Sequence, residues 1–494
     1  MKLTSGAAIN SFALAISSGL NFAAIFVWTR LLDPQAFGVY ALVGASALLL
    51  NSLLFEWLRL VGARTLYSSE QATQVDPERA GALFLLYIWA CLIFAGAALT
   101  LYLLDVGIDG VDARWWPVIV AFTLTEMGLA IINTVSRVRL KTWQFFRSMV
   151  ARSVLSLAIG LVLVVGMGME AAGAILGIVI AQGLVAICSV ILDPLWRTIK
   201  PWRAKREAIA SVLRFGYPLI ASCALTYAAG VADRFLIGTQ LGATEVGLYA
   251  APVDLLQKTL VFVMMAINLT AYPVLVRTYE DHGAAAASKV LQRNFLGQLG
   301  IGLPAAVGLA VLAPGIANLL LGGPFREAGT MLLPFIGVAA LLRCLVTFHL
   351  MMAFQVSGRM KLMLVPPIVM LAVLVPGGIV AMRSFGLMGM AAIAIAAQLV
   401  TYAVSAVLAK RVLDIRIVTR DSMKILLAGA VMGAVLFPMR YADGPIATVL
   451  LIAMGAAAYG VMLLLLRVEP VIAVILDNPI MRKFARPRSG GSVG

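Results

Sequence analysis

The chain has 494 residues, 62% hydrophobic and 12% charged, with a net charge of +15 and a mean hydropathy of +0.99. An ordinary soluble protein carries about 25% charged residues, so the whole chain is membrane-embedded and a large extramembrane domain is excluded. The excess charge is the mark of cytoplasmic loops under the positive-inside rule rather than of a nucleic-acid binder. Two histidines and four scattered cysteines offer no Cys/His metal spacing.

After Lys2 comes an apolar stretch too long for a signal-peptide core and without an A-x-A cleavage site, which predicts a retained first span. Apolar runs close to the roughly 20 residues that a crossing needs then predict an all-α polytopic protein of about fourteen helices. Their limits are 6–30, 38–60, 81–104, 116–136, 147–168, 171–192, 213–238, 246–272, 295–321, 329–354, 362–382, 386–409, 422–438 and 445–466. Alternate loops segregate charge: 30 of the 38 Lys and Arg fall on the side that holds both termini. Arg30, Arg114, Arg326, Arg383 and Arg440 fall on the other side, and Arg234, Lys258 and Arg343 within spans. A dropped span would invert every later loop, so the number is even and both termini are cytoplasmic.

The second half of the chain echoes the first. Leu32-Asp33-Pro34-Gln35-Ala36-Phe37-Gly38-Val39-Tyr40-Ala41 returns 209 residues later as Leu241-Gly242-Ala243-Thr244-Glu245-Val246-Gly247-Leu248-Tyr249-Ala250. The basic linker 193–210, with Arg197, Lys200, Arg203, Lys205 and Arg206, lies where such a repeat should break. Six helices per copy is an even number, so the copies enter the membrane in the same direction, the parallel-repeat plan of some transporters. The expected plan is a six-helix lobe over 1–192, the linker, a second six-helix lobe over 211–410, helices 13 and 14 in 411–468, and a basic cytoplasmic tail over 469–494.

Six plus six plus two helices joined by short loops resemble the multidrug/oligosaccharidyl-lipid/polysaccharide flippase superfamily. Two segments are similar to its polysaccharide-transport branch, the O-antigen and exopolysaccharide repeat-unit flippases. One is Arg30-Leu31-Leu32-Asp33-Pro34-Gln35-Ala36-Phe37-Gly38-Val39-Tyr40. The other is Asp233-Arg234-Phe235-Leu236-Ile237-Gly238-Thr239-Gln240-Leu241-Gly242 with Val246-Gly247-Leu248-Tyr249. The resemblance implies alternating access that moves an undecaprenyl-pyrophosphate-linked oligosaccharide across a bacterial inner membrane for cell-surface polysaccharide, including lipopolysaccharide. Its partners would be that lipid-linked substrate, membrane lipids, and the polysaccharide polymerase and chain-length machinery.

A charged side chain at mid-membrane costs ~2.5–3.5 kcal/mol on insertion scales, so each one needs a partner, a wet cavity or a task. Asp254 and Lys258 are four apart on one helix face, either a mutually neutralised pair or a cavity cation with its carboxylate. Glu56 and Arg59 have i,i+3 spacing, fitting an interfacial pair or a first contact for a lipid pyrophosphate. Arg30 ends helix 1 on the outer side, as a cap, a lobe contact or a substrate contact. Arg343 has no acid within its own helix, and a permanently charged bidentate donor suits an anionic ligand. Arg343 and Lys258 are expected to face a hydrated central cavity. The cavity cations are thus Arg343, Lys258, Arg59, Arg234 and Arg30, and the residues for ion coupling are Asp254, Glu126, Asp233 and Glu56.

No cofactor is expected; the chain lacks the G-x-x-x-x-G-K-[ST] of an ATP site, so ATP is not the direct energy source, which leaves an H+ gradient, a Na+ gradient or the membrane potential. The runner-up function is an ion-coupled small-molecule or drug exporter. An enzyme of the polyprenyl-linked glycosyltransferase or polymerase kind is disfavoured by short outer loops. The richest of them, Asp105–Arg114, holds Asp105, Asp109 and Asp112 but no histidine.

Overall fold

The computed structural model describes residues 2–65, 77–107, 111–199, 201–415, 419–442 and 444–468. The basic tail expected at 469–494, Lys200 of the linker and Asp109 of the outer loop lie outside the described residues. In chain order the helices are α1 (Lys2–Leu31), α2 (Pro34–Leu54), α3 (Glu56–Thr65), α4 (Pro77–Leu103), α5 (Trp116–Val138), α6 (Thr142–Leu161), α7 (Glu170–Leu192), the short α8 (Leu195–Thr198), α9 (Arg206–Gln240) and α10 (Ala243–Leu256). They continue as α11 (Phe262–Val311), α12 (Ala313–Leu320), α13 (Arg326–Leu345), α14 (Met351–Val356), α15 (Val365–Lys410), α16 (Arg420–Leu436) and α17 (Pro445–Leu465).

Among the described residues, twelve helical stretches are long and apolar enough to cross a membrane, which makes the chain a multi-pass membrane protein of all-α class. Two of them, 243–311 and 360–410, contain a glycine outside the helical region, Gly283 at φ 77 and Gly386 at φ 54. A residue with a Cβ is strained there, so each of these stretches is a succession of helices joined at the glycine.

Three limits read from the sequence need correction. Helix 2, expected to run to 60, stops at Phe55, and α3 starts afresh at Glu56. Helix 5 starts at Thr142 instead of 147, because Leu140, in the left-handed region at φ 55, completes the turn out of α5 at once. Helix 9 begins directly after Gly283 instead of at 295, its first turn being the alanine run 284–287, the best helix formers.

Packing divides the chain into two compact units. The first joins Met1–Lys258 with Leu321–Phe325 and Met370–Ile393. Its boundaries do not follow the repeat, since α9 and α10 pack against α2 inside it. Helix α2 starts at Asp33, whose side chain accepts the Ala36 N–H at 2.7 Å, with Pro34 at the first helical position. In the second copy Gly242 stands in place of Asp33, at φ 92. Elsewhere in this unit α6 and α7 meet through Gly160 and Gly177, where a Cβ on Gly177 would lie 2.6 Å from the Gly160 Cα. Small residues allow this approach of helix backbones inside a bilayer.

The second unit comprises Thr259–Leu320, Arg326–Val369 and Ala394–Gly494. Here α16 and α17, the helices outside the six-plus-six plan, pack on α11. Leu303 fills the space over Gly429, and the Tyr459 hydroxyl donates to the Gly300 carbonyl at 2.8 Å. Gly302 of α11 lies beneath Leu341 and Met264.

Candidate functional site

Charged side chains are scarce enough in a span that their arrangement carries information. The first unit holds eight of the nine residues singled out from the sequence, and the structure orders most of them into a track. At one end Glu56 and Arg59 form an ion pair within α3, as their spacing predicted. The pair acts electrostatically on Tyr227 of α9, and so does Glu126 from mid-α5.

Glu126 is held by two donors. Arg152 of α6 reaches its Oε2 at 2.6 Å, and the fully buried Gln182 of α7 donates to the same oxygen at 2.5 Å. Thr125 in turn donates to the Gln182 Oε1 at 2.9 Å. Three helices are thereby locked through one carboxylate, a network whose members gain from low local dielectric only while all are satisfied. Arg152 was missed from the sequence because a start at 147 placed it near the helix end, among the cytoplasmic cations. With the helix starting at Thr142 it lies inside the candidate span 142–166.

The track continues to α10. Asp254 pairs with Arg234 of α9, both mostly buried at 20% and 12% side-chain exposure. Of the two alternatives that the Asp254–Lys258 spacing left open, the mutually neutralised pair is not found among the described residues. A π-turn over Gln257–Val261 widens the helix where Lys258 stands, so four-residue spacing no longer stacks the two heads. Asp233 faces the Arg234 backbone instead, its Oδ1 accepting the N–H at 2.9 Å. Beyond the pair, Tyr40 of α2 stands in the field of both Asp254 and Arg234.

Within the track, Lys258 is a cation that no carboxylate reaches at ion-pair distance among the described residues. Its side chain is exposed to solvent and lies in the field of Asp254, Arg152, Arg234 and Glu126. Lys258 is thus an exposed ammonium in the field of two ion pairs. Its carbonyl accepts from Ser18 of α1 at 3.4 Å.

Two of the sequence candidates fall outside the track. Arg30 folds back along its own helix, its guanidinium 3.4 Å over the Phe26 ring and donating to the Phe26 carbonyl at 2.9 Å. Arg343 belongs to the second unit, half-buried on α13 and without an ion pair among the described residues.

At the end of α7 lies a separate charged knot. Asp193 accepts from Arg139 at 2.7 Å, from Lys141 at 3.1 Å and from the Leu195 N–H at 3.1 Å. Burial by itself would raise its carboxyl, but the Arg139 guanidinium, the Leu195 N–H and the Lys141 ammonium together draw it down to about 2. This knot ties the α5–α6 turn to the end of α7 and has no part in the track.

The fold defines a multi-pass helical membrane protein with charged side chains inside its first unit, and solved structures share that fold. The chain is similar to the solved structure of the lipid II flippase MurJ in an inward closed conformation, with a TM-score of 0.72 at 12% identity over 95% of this chain and 99% of that one. It is similar to an inward-facing multidrug-resistance MATE family transporter of the MOP superfamily, with a TM-score of 0.56 at 15% identity over 81% and 98% of the two chains. The Vibrio cholerae MATE transporter VcmN gives 0.52 at 16% identity over 82% and 93%. At such identities the likeness establishes the fold. No curated protein matches the sequence. A family model described as "Polysaccharide biosynthesis protein" matches residues 27–330, more than half the chain, which therefore belongs to that family. It is a multi-pass membrane protein of that polysaccharide biosynthesis family, with a fold like those of the lipid II flippase MurJ and the MATE transporters.

Proposed function

We propose that the chain flips an undecaprenyl-pyrophosphate-linked oligosaccharide repeat unit across a bacterial inner membrane by alternating access, for cell-surface polysaccharide. The observation that carries this reading is the charged track of the first unit, with the accessible Lys258 set between the Glu126–Arg152 and Asp254–Arg234 pairs. A pyrophosphate is the part of such a cargo that cannot enter hydrocarbon unaided. Lys258 offers it a free ammonium, while Arg152 and Arg234 can exchange a carboxylate for a phosphate oxygen at little cost in charge separation. Family membership supplies the polysaccharide context.

Counting Asp233 and the Glu56–Arg59 pair, the track balances four cations against four carboxylates. A multiply charged anion therefore enters an electrically neutral site, and a co-bound cation or the membrane potential must offset it. An H+ or Na+ gradient is the proposed energy source. A drug-cation exporter is the poorer fit, since its cavity should be lined by acids without matching bases.

The reading includes fourteen crossings, cytoplasmic termini, and repeat lobes over 1–192 and 211–410. Polymerase and chain-length proteins are its proposed partners. The test is the undecaprenyl-linked intermediate in cells lacking the gene. Accumulation of a complete repeat unit on the inner leaflet, cleared by the wild-type chain and not by Lys258→Ala, is the expected result. Clearance of the intermediate in the absence of the chain would refute the reading.

A further inference from the structure

The second unit contains a buried polar cluster that the cargo track does not use. His349 is fully buried, and among the described residues neither ring nitrogen has a hydrogen-bond partner. It stands in a π-turn, Val346–Leu350, between α13 and α14, a rare one-turn widening that recurs at functional sites. Phe295 of α11 packs against its ring with centroids 5.0 Å apart.

Two amides of α11 accompany that contact. Asn294 donates its Nδ2 to the carbonyl of Phe348, the residue before His349, at 3.0 Å and to the Met352 sulfur at 3.4 Å. One turn further, the fully buried Gln298 donates its Nε2 to the Met264 carbonyl at 3.1 Å. With their donors so committed, the Asn294 Oδ1 and the Gln298 Oε1 are buried without a partner. Unmatched polar atoms in an apolar interior are costly, and each calls for an explanation.

A neutral imidazole presents one N–H and one lone pair, whereas an imidazolium presents two N–H groups and no acceptor. Phe295, which packs on the ring, has Asn294 next to it in sequence and Gln298 one turn on, and both amides have acceptors to spare, which suits a ring with two donors. We propose that His349 is a proton-binding site, with the Asn294 and Gln298 carbonyl oxygens as acceptors for its protonated form. A hydronium gives its proton to the lone pair of the imine nitrogen and leaves as water. In the state described the ring is fully buried, with Phe295 packed against it. Protonation therefore requires a state in which water reaches the ring, and proton uptake is tied to a movement of the unit. Its use as the coupling step of transport rests on the proposed function above, but the binding of a proton does not.

No charge acts on the ring from the helices around it. On α11 Lys289 and Arg293 are exposed, and on α13 Arg343 is half-buried beside the Cys344 thiol. Helix α14 carries no charged residue, and Tyr402 is the titratable group that α15 brings to the surrounding cluster. Among the described residues none of these exerts a charge effect on His349.

The test uses the full chain in lipid nanodiscs, purified without a histidine tag and carrying His282→Gln, so that His349 is its one imidazole. Its 13Cε1 resonance is followed by NMR from about pH 4.5 to 9, the range in which histidine changes charge. One titrating resonance is expected, absent from a His349→Gln control. Replacing both amides, Asn294→Leu with Gln298→Leu, should lower the midpoint by at least about one unit, a tenfold loss of proton affinity. A resonance fixed at its neutral position throughout, or a midpoint indifferent to both amides, overturns the proposal and leaves the cluster to buried water. The parent protein decides the first point with the cluster intact. Loss of the cargo reading in the cellular test would leave this titration standing, so the two failures are separable.

Discussion

Gly38 and Gly247 hold equivalent places in the two copies of the repeated motif, and each is pressed against the backbone of the other copy. A Cβ on Gly38 would lie 1.7 Å from the Ala243 carbonyl oxygen, and one on Gly247 would lie 1.9 Å from that of Pro34. Ala243 is the counterpart of Pro34 at the same offset of 209 residues. The contact is thus reciprocal, as a local two-fold relation between α2 and α10 requires. Phe37 extends it, meeting Phe325 edge-on with ring centroids 5.4 Å apart.

Backbone against backbone leaves no flexible side chain to yield. We expect Gly38→Ala and Gly247→Ala each to lower the melting temperature of the purified protein, with a cost of about 1–3 kcal/mol for overpacking. Gly44→Ala is the control, because a Cβ there meets nothing within 4 Å. Equal melting of all three variants would show that the contact does not hold α2 to α10.

Lys258→Ala should reduce polysaccharide export roughly ten- to a hundred-fold at matched membrane abundance, the loss of a charge-assisted contact worth ~1.5–3 kcal/mol. Arg343→Ala is expected to fall in the same range, with Arg343→Lys restoring only part, since it keeps the charge and loses the bidentate fork. Normal export by the Lys258→Ala, Arg343→Ala double variant in a complemented deletion strain would remove both from cargo handling.

Glu126→Gln leaves the Arg152 guanidinium with no carboxylate inside a span. Breaking such a pair costs about 1–3 kcal/mol when its members are part-exposed, as these are at 29% and 19%. Membrane abundance should drop for Glu126→Gln and recover when Arg152→Met is added. Export should stay low in the double variant. Recovery of export together with abundance would make the pair purely structural.

Asp193 gives a signed pH dependence. Its carboxyl is held down at about 2, below the ~3.9 of an unfolded chain, so its stabilisation is complete above about pH 4 and disappears as pH falls through about 2. Melting of the wild-type protein and of Asp193→Asn should differ at neutral pH and converge between about pH 4 and pH 2. A constant difference across that window would show that the Arg139–Lys141 knot does not set the ionisation of Asp193.

The fourteen-crossing reading places Gly283 on the cytoplasmic side and Gly386 on the outer side. Alkaline phosphatase fused after His282 should be inactive, and after Phe385 active. The reverse pattern, or the same result at both, would mean that 243–311 or 360–410 does not cross twice.

The two copies of the motif were legible from residue identity alone, and so was the Glu56–Arg59 pair, whose partners share one helix. Arg152 was lost for a local reason. A leucine at positive φ is not signalled in sequence, and the misjudged turn at Leu140 moved Arg152 from mid-span to the interface. Lys258 was recognised as exceptional but its partner was left open, since four-residue spacing allowed a pair with Asp254 and a π-turn, which changes that spacing rule, is not signalled in sequence.

Hydrophobicity and the segregation of positive charge are properties of successive residues read against a fixed bilayer thickness, so the sequence by itself determined the membrane class, the helical segments and the repeat. Partner choice is different. Glu126 with Arg152 and Gln182, Asp254 with Arg234, and Gly38 with Ala243 each join different helices. Such pairs depend on which faces of the helices meet and at what depth, and van der Waals packing between helices sets that. Only the tertiary structure decided them.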